Sequence, residues 1–471
     1  MYKKLSKIFI SVFGKENAIA LYKNIIDEES NELSKIQKLI KLVVYPALTI
    51  PGFRRQIVKV KGVYDKKIIT YTSDALNVTL NNIYNLPDVE IRENRPKTVN
   101  VLVPAFSIET ISAGFFGVFN VAKLISSQGT NVRLVLFDNF YYNAMEFEKS
   151  LKNYPGIEDL FDIMEIEYIG SNYKPLYVSK EDRVVATVWY SAYFAKKIMS
   201  VINLDDPFLY LIQDYEAAFY PANSLHCLAH ETYNMNYNAL VSSETLFNFL
   251  IKKSDTFRVL AEKERATYFN NSCSARVQKE EEFYSAHSTK KKTFAFYSRP
   301  SVNRNMFELG ALAIVTAWNN GVFQSGHNWS LIGMGIGNVE IHLDKAFKLM
   351  QMPRMSLAEY ERSITNIDVA LSLMASPHPS ITPFDIAGIG GIVVTNSFEN
   401  KDEAYFAEIT SNIIVKKPLL EDIVQGIKDA VDNVDNLSSR YRGAISMKFP
   451  REWGNAWEQR HLDIINRTFN L

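Results

Sequence analysis

Cysteine is almost missing from this chain. Two residues in 471, Cys227 and Cys273, are too few for a disulfide framework and fit a reducing cytosol. Charge imbalance is missing as well. With 52 basic and 52 acidic side chains the formal net charge is zero, so no broad electrostatic footprint for nucleic acid is expected. No uninterrupted apolar run reaches the ~18 residues of a membrane-spanning helix. Residues 8–13 and 42–50 come nearest, but they are short or contain Pro46. Residues 1–26 lack a small-residue cleavage site behind a continuous apolar core, which argues against secretion. Histidine is scarce, with seven in all. His226 and His230 stand four apart, which sets two imidazoles on one helix face. No third ligand group accompanies them, so the pair reads as structural and no metal site is expected.

What the chain does have is an α/β rhythm. A hydrophobic content of 47% is ample for full cores, and the length suggests two or three domains. Residues 1–95 read as a mostly helical extension without a chemical motif. Within it, Lys3, Lys4 and Lys7 beside apolar residues 8–13 suit a helix lying on a membrane surface, though the pattern favours one packed on the rest of the protein. A first α/β domain is expected over 96–270: strand 99–104, a loop holding Gly114 and Gly117, a helix to 129, strands 132–138 and 184–188, helix 191–202, strands 208–213 and 239–241, and helix 244–252. Residues 253–292, rich in charge and ending in Lys290-Lys291-Lys292, read as a connector.

A second run, expected over 290–448, has strand 294–298, amphipathic helix 306–318, strands 329–333 and 339–343, and a helix capped by Ser356 with Glu359. Strand 369–374, a helix capped by Thr382, strand 392–395 and helix 419–431 follow. A last helix, 453–469 within the tail 449–471, is expected to return to the first domain. Two doubly wound parallel-sheet domains in tandem place a ligand between the carboxyl ends of their strands.

The segment Ser376-Pro377-His378-Pro379-Ser380-Ile381-Thr382-Pro383-Phe384-Asp385 is the most informative. A loop that leaves a strand and caps a helix at Thr382 offers backbone N–H groups of Ser380, Ile381 and Thr382 to an anion, and Asp385 a carboxylate to hydroxyls. Thr382 with Asp385 is also explained as a capping box alone. Upstream, Arg299 and Arg304 sit between a strand end and a helix start, where bidentate guanidinium groups suit a diphosphate. Asn305 with Glu308 reads as a capping box of that helix. Gly333, Gly335 and Gly337 permit close backbone approach after a strand. Arg354, in the loop before Ser356, either adds positive charge to the diphosphate or holds its loop. Asp214 and Glu216 follow a strand end of the first domain and are candidates to bind an acceptor's hydroxyls or to act as a base, although a carboxylate pair near a turn is more often a cap or a surface charge.

These segments together resemble GT-B glycosyltransferases, and within them the bacterial rhamnosyltransferase group typified by WsaF. The resemblance runs from about Val99 onward. It rests on the loop from Pro104 to Gly117, Ala186-Thr187-Val188-Trp189-Tyr190, Gln213-Asp214-Tyr215-Glu216 and Phe219-Tyr220-Pro221. The second half adds Tyr297-Ser298-Arg299-Pro300, Arg304-Asn305, Phe307-Glu308-Leu309-Gly310, Ser356-Leu357 and Ser376 to Asp385. It implies two Rossmann-like domains facing a cleft, and a retaining-type transferase that takes a nucleotide-activated sugar, typically dTDP-rhamnose. The donor would sit in the second domain, and the glycan acceptor, lipid-linked in one form of the reading, in the first. Retaining relatives carry two glutamates eight positions apart; here Pro377 occupies the first position and Asp385, one methylene shorter, the second. The pair Asp205-Asp206 suits metal-dependent transferases of a different fold, which the tandem Rossmann pattern argues against.

Heterolysis of a sugar–phosphate bond leaves negative charge on the departing diphosphate, which fixed cations stabilise without a metal or cofactor. Arg299, supported by Arg304 or Arg354, is the expected electrostatic catalyst, with Gly114, Asp214 and Glu216 on the acceptor side. The expected setting is the cytoplasm, with peripheral contact at the inner face of the membrane left open. The competing readings are an epimerase or phosphorylase of the same architecture, and a degenerate glycan- or nucleotide-sugar-binding protein on the same scaffold.

Overall fold

A computed structural model gives the structure of residues 83–471, apart from 85, 105–112, 138–148, 150, 153, 155, 170–173, 203–204, 274, 325, 336–338, 345–346, 354 and 356. The expected extension up to residue 82, with its membrane-facing candidate, lies outside the described residues. So do Arg354, Ser356 and Gly337. Residues Ala75–Leu471 form one unit.

Its first half holds strands β1 (Val89–Ile91), β2 (Thr98–Val103), β3 (Asn131–Leu136), β4 (Glu165–Tyr168), β5 (Leu176–Val178), β6 (Arg183–Ala186), β7 (Phe208–Ile212), β8 (Tyr237–Val241) and β9 (Ala266–Tyr268). Seven of them form a wholly parallel sheet in the order β4-β3-β2-β6-β7-β8-β9, while β1 and β5 pair separately. The centre of the sheet is covered on both faces, which is why β2, β6, β7 and β8 are buried along their whole length rather than alternating. Its helices of eight residues or more are α1 (Ala113–Ser126), α2 (Trp189–Val201), α3 (Ser224–Glu231), α4 (Glu244–Lys253) and α5 (Asp255–Glu262).

The second half repeats the plan with β10 (Lys291–Tyr297), β11 (Asn328–Met334), β12 (Glu340–His342), β13 (Lys348–Gln351), β14 (Val369–Leu371), β15 (Ile392–Asn396) and β16 (Ile413–Lys416), ordered β12-β13-β11-β10-β14-β15-β16. Only β12 runs antiparallel. Its helices are α6 (Glu280–His287), α7 (Phe307–Asn319), α8 (Leu357–Ile364), α9 (Thr382–Gly388), α10 (Glu403–Ile409), α11 (Leu420–Asp432) and α12 (Leu437–Ile445). After a 3₁₀ turn at Trp453–Ala456, α13 (Gln459–Phe469) packs on the first sheet. Ile464, Ile465 and Phe469 join that sheet's core, and Asn238 Nδ2 donates to Thr468 Oγ1 at 2.8 Å.

Several expectations give way here. Gly114 and Gly117 lie inside the first turns of α1, not in a loop. There the lack of a Cβ admits the Gln213 side chain, whose Oε1 would stand 3.3 and 3.1 Å from added Cβ atoms. The expected connector contains α5, β9 and α6, whose polar outer faces disguise them. Lys292, expected at the end of a charge-rich connector, points into the protein from β10 and is fully buried, donating to the His287 carbonyl at 2.5 Å and pairing with Asp435 at 3.2 Å. No Asn305 box exists: Met306, in the left-handed region at φ 51°, precedes α7, and Asn305 is buried with Nδ2 donating to Leu373 O at 3.4 Å. Thr382 is likewise the first helical residue rather than a cap. The amides of Phe384 and Asp385 close on the carbonyl of Ile381, which takes the cap position.

Helix α7 lies close enough on β10 that a Cβ at Gly310 would fall 2.5 Å from Phe296 Cε2. The substitution Gly310→Ala is therefore expected to destabilise the fold by roughly 1–3 kcal/mol through overpacking, despite alanine's better helix propensity. Chemical denaturation measures it, and a neutral or stabilising result would contradict this packing.

Candidate active site

The carboxyl ends of both parallel sheets meet. From the first sheet, β7 delivers Gln213 to Glu216, β6 leads to Thr187 and Trp189, and β8 to Ser242 and Ser243. From the second, β10 delivers Ser298 and Arg299, β14 the loop through Ser380, and β15 ends at Asn396. This is where a doubly wound fold places its ligand.

The loop after β14 is fixed from below. Asn396 Oδ1 accepts from the Met374 amide at 2.7 Å and Nδ2 donates to its carbonyl at 3.1 Å. Fully buried Lys401 donates to the same carbonyl at 2.6 Å, and the Ala375 amide donates to Arg304 O at 2.7 Å. Burial lowers the Lys401 ammonium to about 7. Further along, Ser376 Oγ accepts from the His378 amide at 3.0 Å and His378 Nδ1 accepts from the Ser380 amide at 3.0 Å. That contact leaves Nδ1 without a proton, so Nε2–H is the donor to Ser242 Oγ across the domain boundary at 3.1 Å. Burial holds this imidazole neutral by pushing it down to about 4. Ser380 itself adopts a left-handed conformation, φ 67°.

Asp214 is the first domain's main answer to this loop. One oxygen accepts from the Tyr215 amide at 2.8 Å and from the Ser376 hydroxyl; the other faces Arg304 Nε at 3.4 Å. The Arg304 guanidinium also lies over the Phe219 ring, 4.3 Å from its centroid. Glu216 accepts from the Trp189 amide at 2.5 Å. Loss of solvation, assisted by the Asp214 charge, raises its carboxyl to about 8 against the pull of Arg304. Asp214, Glu216, Arg304, His378 and Ser376 thus form one cross-domain cluster, with Gly114 set against the neighbouring Gln213.

Arg299 stands on the other side, its Nη1 donating to the Tyr297 hydroxyl at 3.3 Å. Gly335, at φ 128°, allows the strand ends to close: a Cβ there would lie 2.4 Å from Ser298 O and 2.9 Å from Arg299 Cγ. Gly333 lies within β11 beneath Ser298 and Gln351. Ser380 and Ile381 are half-buried at the mouth, while Thr382 and Asp385 are buried. The Asp385 carboxylate turns into its own domain, accepting from the Tyr360 hydroxyl at 3.2 Å and bonding the Cys273 thiol; burial raises it to about 6.

Other candidates fall away from this centre. His226 Nδ1 meets the Ala217 carbonyl at 2.8 Å and His230 Nδ1 the Tyr215 hydroxyl at 3.1 Å, while Asp206 pairs with Arg183 ahead of β7. Among the described residues no group of three or more His, Cys, Asp or Glu is arranged to hold a metal. Ser242, Asn396, His378 and Lys401 were given no role by sequence reasoning. The first two carried one signal, a polar residue directly ending an apolar strand.

Residues 98–245 match the family of the WsaF N-terminal domain, and residues 292–428 that of the WsaF C-terminal domain. The chain belongs to the WsaF family. Among curated proteins, the O-antigen biosynthesis protein RfbC of Myxococcus xanthus is 23% identical over 353 residues, 72% of this chain, and the chain spans only 25% of that relative. Anabaena Alr3699/HepE, solved in complex with UDP-glucose, superposes with a TM-score of 0.53 at 11% identity, covering 80% of this chain and 100% of that one. A variant of S. aureus TarM, in complex with fondaparinux, alpha-GlcNAc-glycerol and UDP, gives 0.56 at 11% identity and the same coverage. The WsaF-family fold seen here is GT-B.

Because the Glu216 carboxyl is raised from 4.5 to about 8 on folding, the native state holds a proton that the unfolded chain releases. Its contribution to stability therefore declines as pH rises through that window and levels off above it. Glu216→Gln removes this dependence, so the variant should gain on the wild type between pH 5 and about 8. Denaturation midpoints at pH 5, 7 and 8.5 test it; a constant difference would refute the raised carboxyl.

Proposed function

We propose that this protein is a glycosyltransferase that moves a sugar, rhamnose, from a dTDP-activated donor to a glycan acceptor during synthesis of bacterial surface polysaccharide or glycoprotein glycan. The observation that carries the reading is the pair of guanidinium groups, Arg299 and Arg304, placed where the carboxyl ends of two Rossmann-like sheets meet. The family match across both domains supports it, as do the O-antigen name of the relative and the nucleotide-sugar complex of HepE. In this reading the domain over 290–448 holds the donor and the domain over 96–270 the acceptor. The reaction takes place on the cytoplasmic side, with a lipid-linked glycan at the inner face of the membrane as acceptor.

The chemistry follows from charge. As the bond between the anomeric carbon and phosphate oxygen lengthens, negative charge gathers on the diphosphate, and preorganised donors in a water-poor crevice stabilise it more than the ground state. Arg299 rests on the Tyr297 hydroxyl rather than on a carboxylate, so its charge is available to the leaving group. Arg304 and, beyond the described residues, Arg354 support it. Ser380, Ile381 and Thr382 line the loop beside the phosphates, and Gly333 backs it. Asp214, Glu216 and Gly114 face the acceptor. A second reading, a nucleotide-sugar-binding protein without turnover, is favoured by one observation: Pro377 and the inward-turned Asp385 replace two glutamates of the retaining pattern.

The test has two arms. Melting temperature with dTDP, dTDP-rhamnose and UDP-glucose should show saturable stabilisation, about 2.7 kcal/mol at a hundredfold excess over Kd, with the thymidine compounds preferred. Release of dTDP on addition of a glycan acceptor should fall by a factor of about 10²–10³ in Arg299→Ala. Binding without turnover selects the second reading; a rate within about twofold of wild type removes Arg299 from its role.

A further inference from the structure

Arg304 belongs to the second domain, yet its guanidinium meets the first: the carboxylate of Asp214 and the ring of Phe219. Its hold on Asp214 is loose. The contact is a single ion pair at 3.4 Å, Nε is buried without a hydrogen bond, and the side chain as a whole is 30% exposed. Asp214 is differently placed, with its side chain 9% exposed and its other oxygen held by the Tyr215 amide and the Ser376 hydroxyl. The carboxylate is therefore fixed, and the guanidinium is the member of the pair that can be drawn away.

We infer that Asp214 is a positioning residue: its carboxylate occupies Arg304 and tethers the Ser376–Ser380 loop until a diphosphate displaces it from the guanidinium. This rests on the reading of the crevice as a diphosphate site. A diphosphate offers several charged oxygens to a planar donor fork, where Asp214 offers one oxygen at 3.4 Å that makes no hydrogen bond with Nε. The two anions share one cation, so each weakens the other's hold, and the effect is reciprocal by linkage. Donor arrival releases Arg304 from Asp214 and Phe219 while Ser376 stays bound to Asp214. One domain contact is thus exchanged for a ligand contact and the loop keeps its tether.

Two substitutions separate the two jobs of the carboxylate. Asp214→Asn keeps an oxygen for the Tyr215 amide and Ser376 but removes the charge facing Arg304. Asp214→Ala removes both. Binding of dTDP by calorimetry is expected to tighten about threefold in Asp214→Asn, the scale of a partly screened ion pair, and the gain should vanish in an Arg304→Gln background. Hydrogen exchange of the His378 and Ser380 amides is expected to stay near wild type in Asp214→Asn and to accelerate about tenfold or more in Asp214→Ala. Unchanged or weakened dTDP binding in Asp214→Asn, or tightening that survives Arg304→Gln, overturns the competition. Unchanged exchange in Asp214→Ala overturns the tether. If exchange responds as expected while neither wild type nor variant binds dTDP, UDP or inorganic pyrophosphate, the diphosphate reading itself fails and takes the competition with it.

Discussion

A carboxylate taken out of water must be met by donors or cations, and Asp214 is met by groups that its own domain does not possess in full. The Tyr215 amide is local; the Ser376 hydroxyl and the Arg304 guanidinium come from the second sheet. The cost of burying that charge unpaired, several kcal/mol, is what gives the meeting of the two domains a definite register. His378 and Ser242 add a second cross-domain contact, and the Asn400 amide, which donates to the Thr245 carbonyl at 2.9 Å, a third. Asp214 and Ser242 stand just beyond β7 and β8, so residues at the strand ends also make the domain contact.

That arrangement explains the unequal character of the two arginines. Arg299 leans on a phenol within its own domain and keeps its full charge for a ligand. Arg304 is shared between Asp214 and the Phe219 ring. In the proposed reading, an anion entering between the domains meets one cation that is available and one that must be released, so binding energy would depend on the first domain even where the contacts are made by the second.

The architecture was legible in sequence because the central strands are short apolar runs covered on both faces, such as 99–104 and 208–213. What escaped were elements whose burial the pattern conceals. β13 carries Lys348 and Gln351 around a buried Leu349, β9 is three residues long, and α6 begins with three glutamates. Lys292 misled for a physical reason: its flexible stem carries the ammonium through the core to the His287 carbonyl and Asp435, which a run of lysines gives no cause to expect. At the site, Arg299, Arg304 and the Ser376–Asp385 loop could be picked out by their place between strand and helix. The pairing of Asp214 with Arg304 could not, since nothing local links residues ninety positions apart.

Asp385 shows how a familiar motif position can be put to another use. As the shorter acid, it reaches the Tyr360 hydroxyl and the Cys273 thiol, and with both it lies within the core. Held near 6, its carboxyl carries charge at neutral pH only because those two donors compensate part of the desolvation. Tyr360 interacts electrostatically with Tyr297, whose hydroxyl accepts from Arg299 Nη1. A glutamate at the same place, longer by one methylene, would have to reach past Tyr360 or displace it, so the shorter side chain and the inward contact belong together.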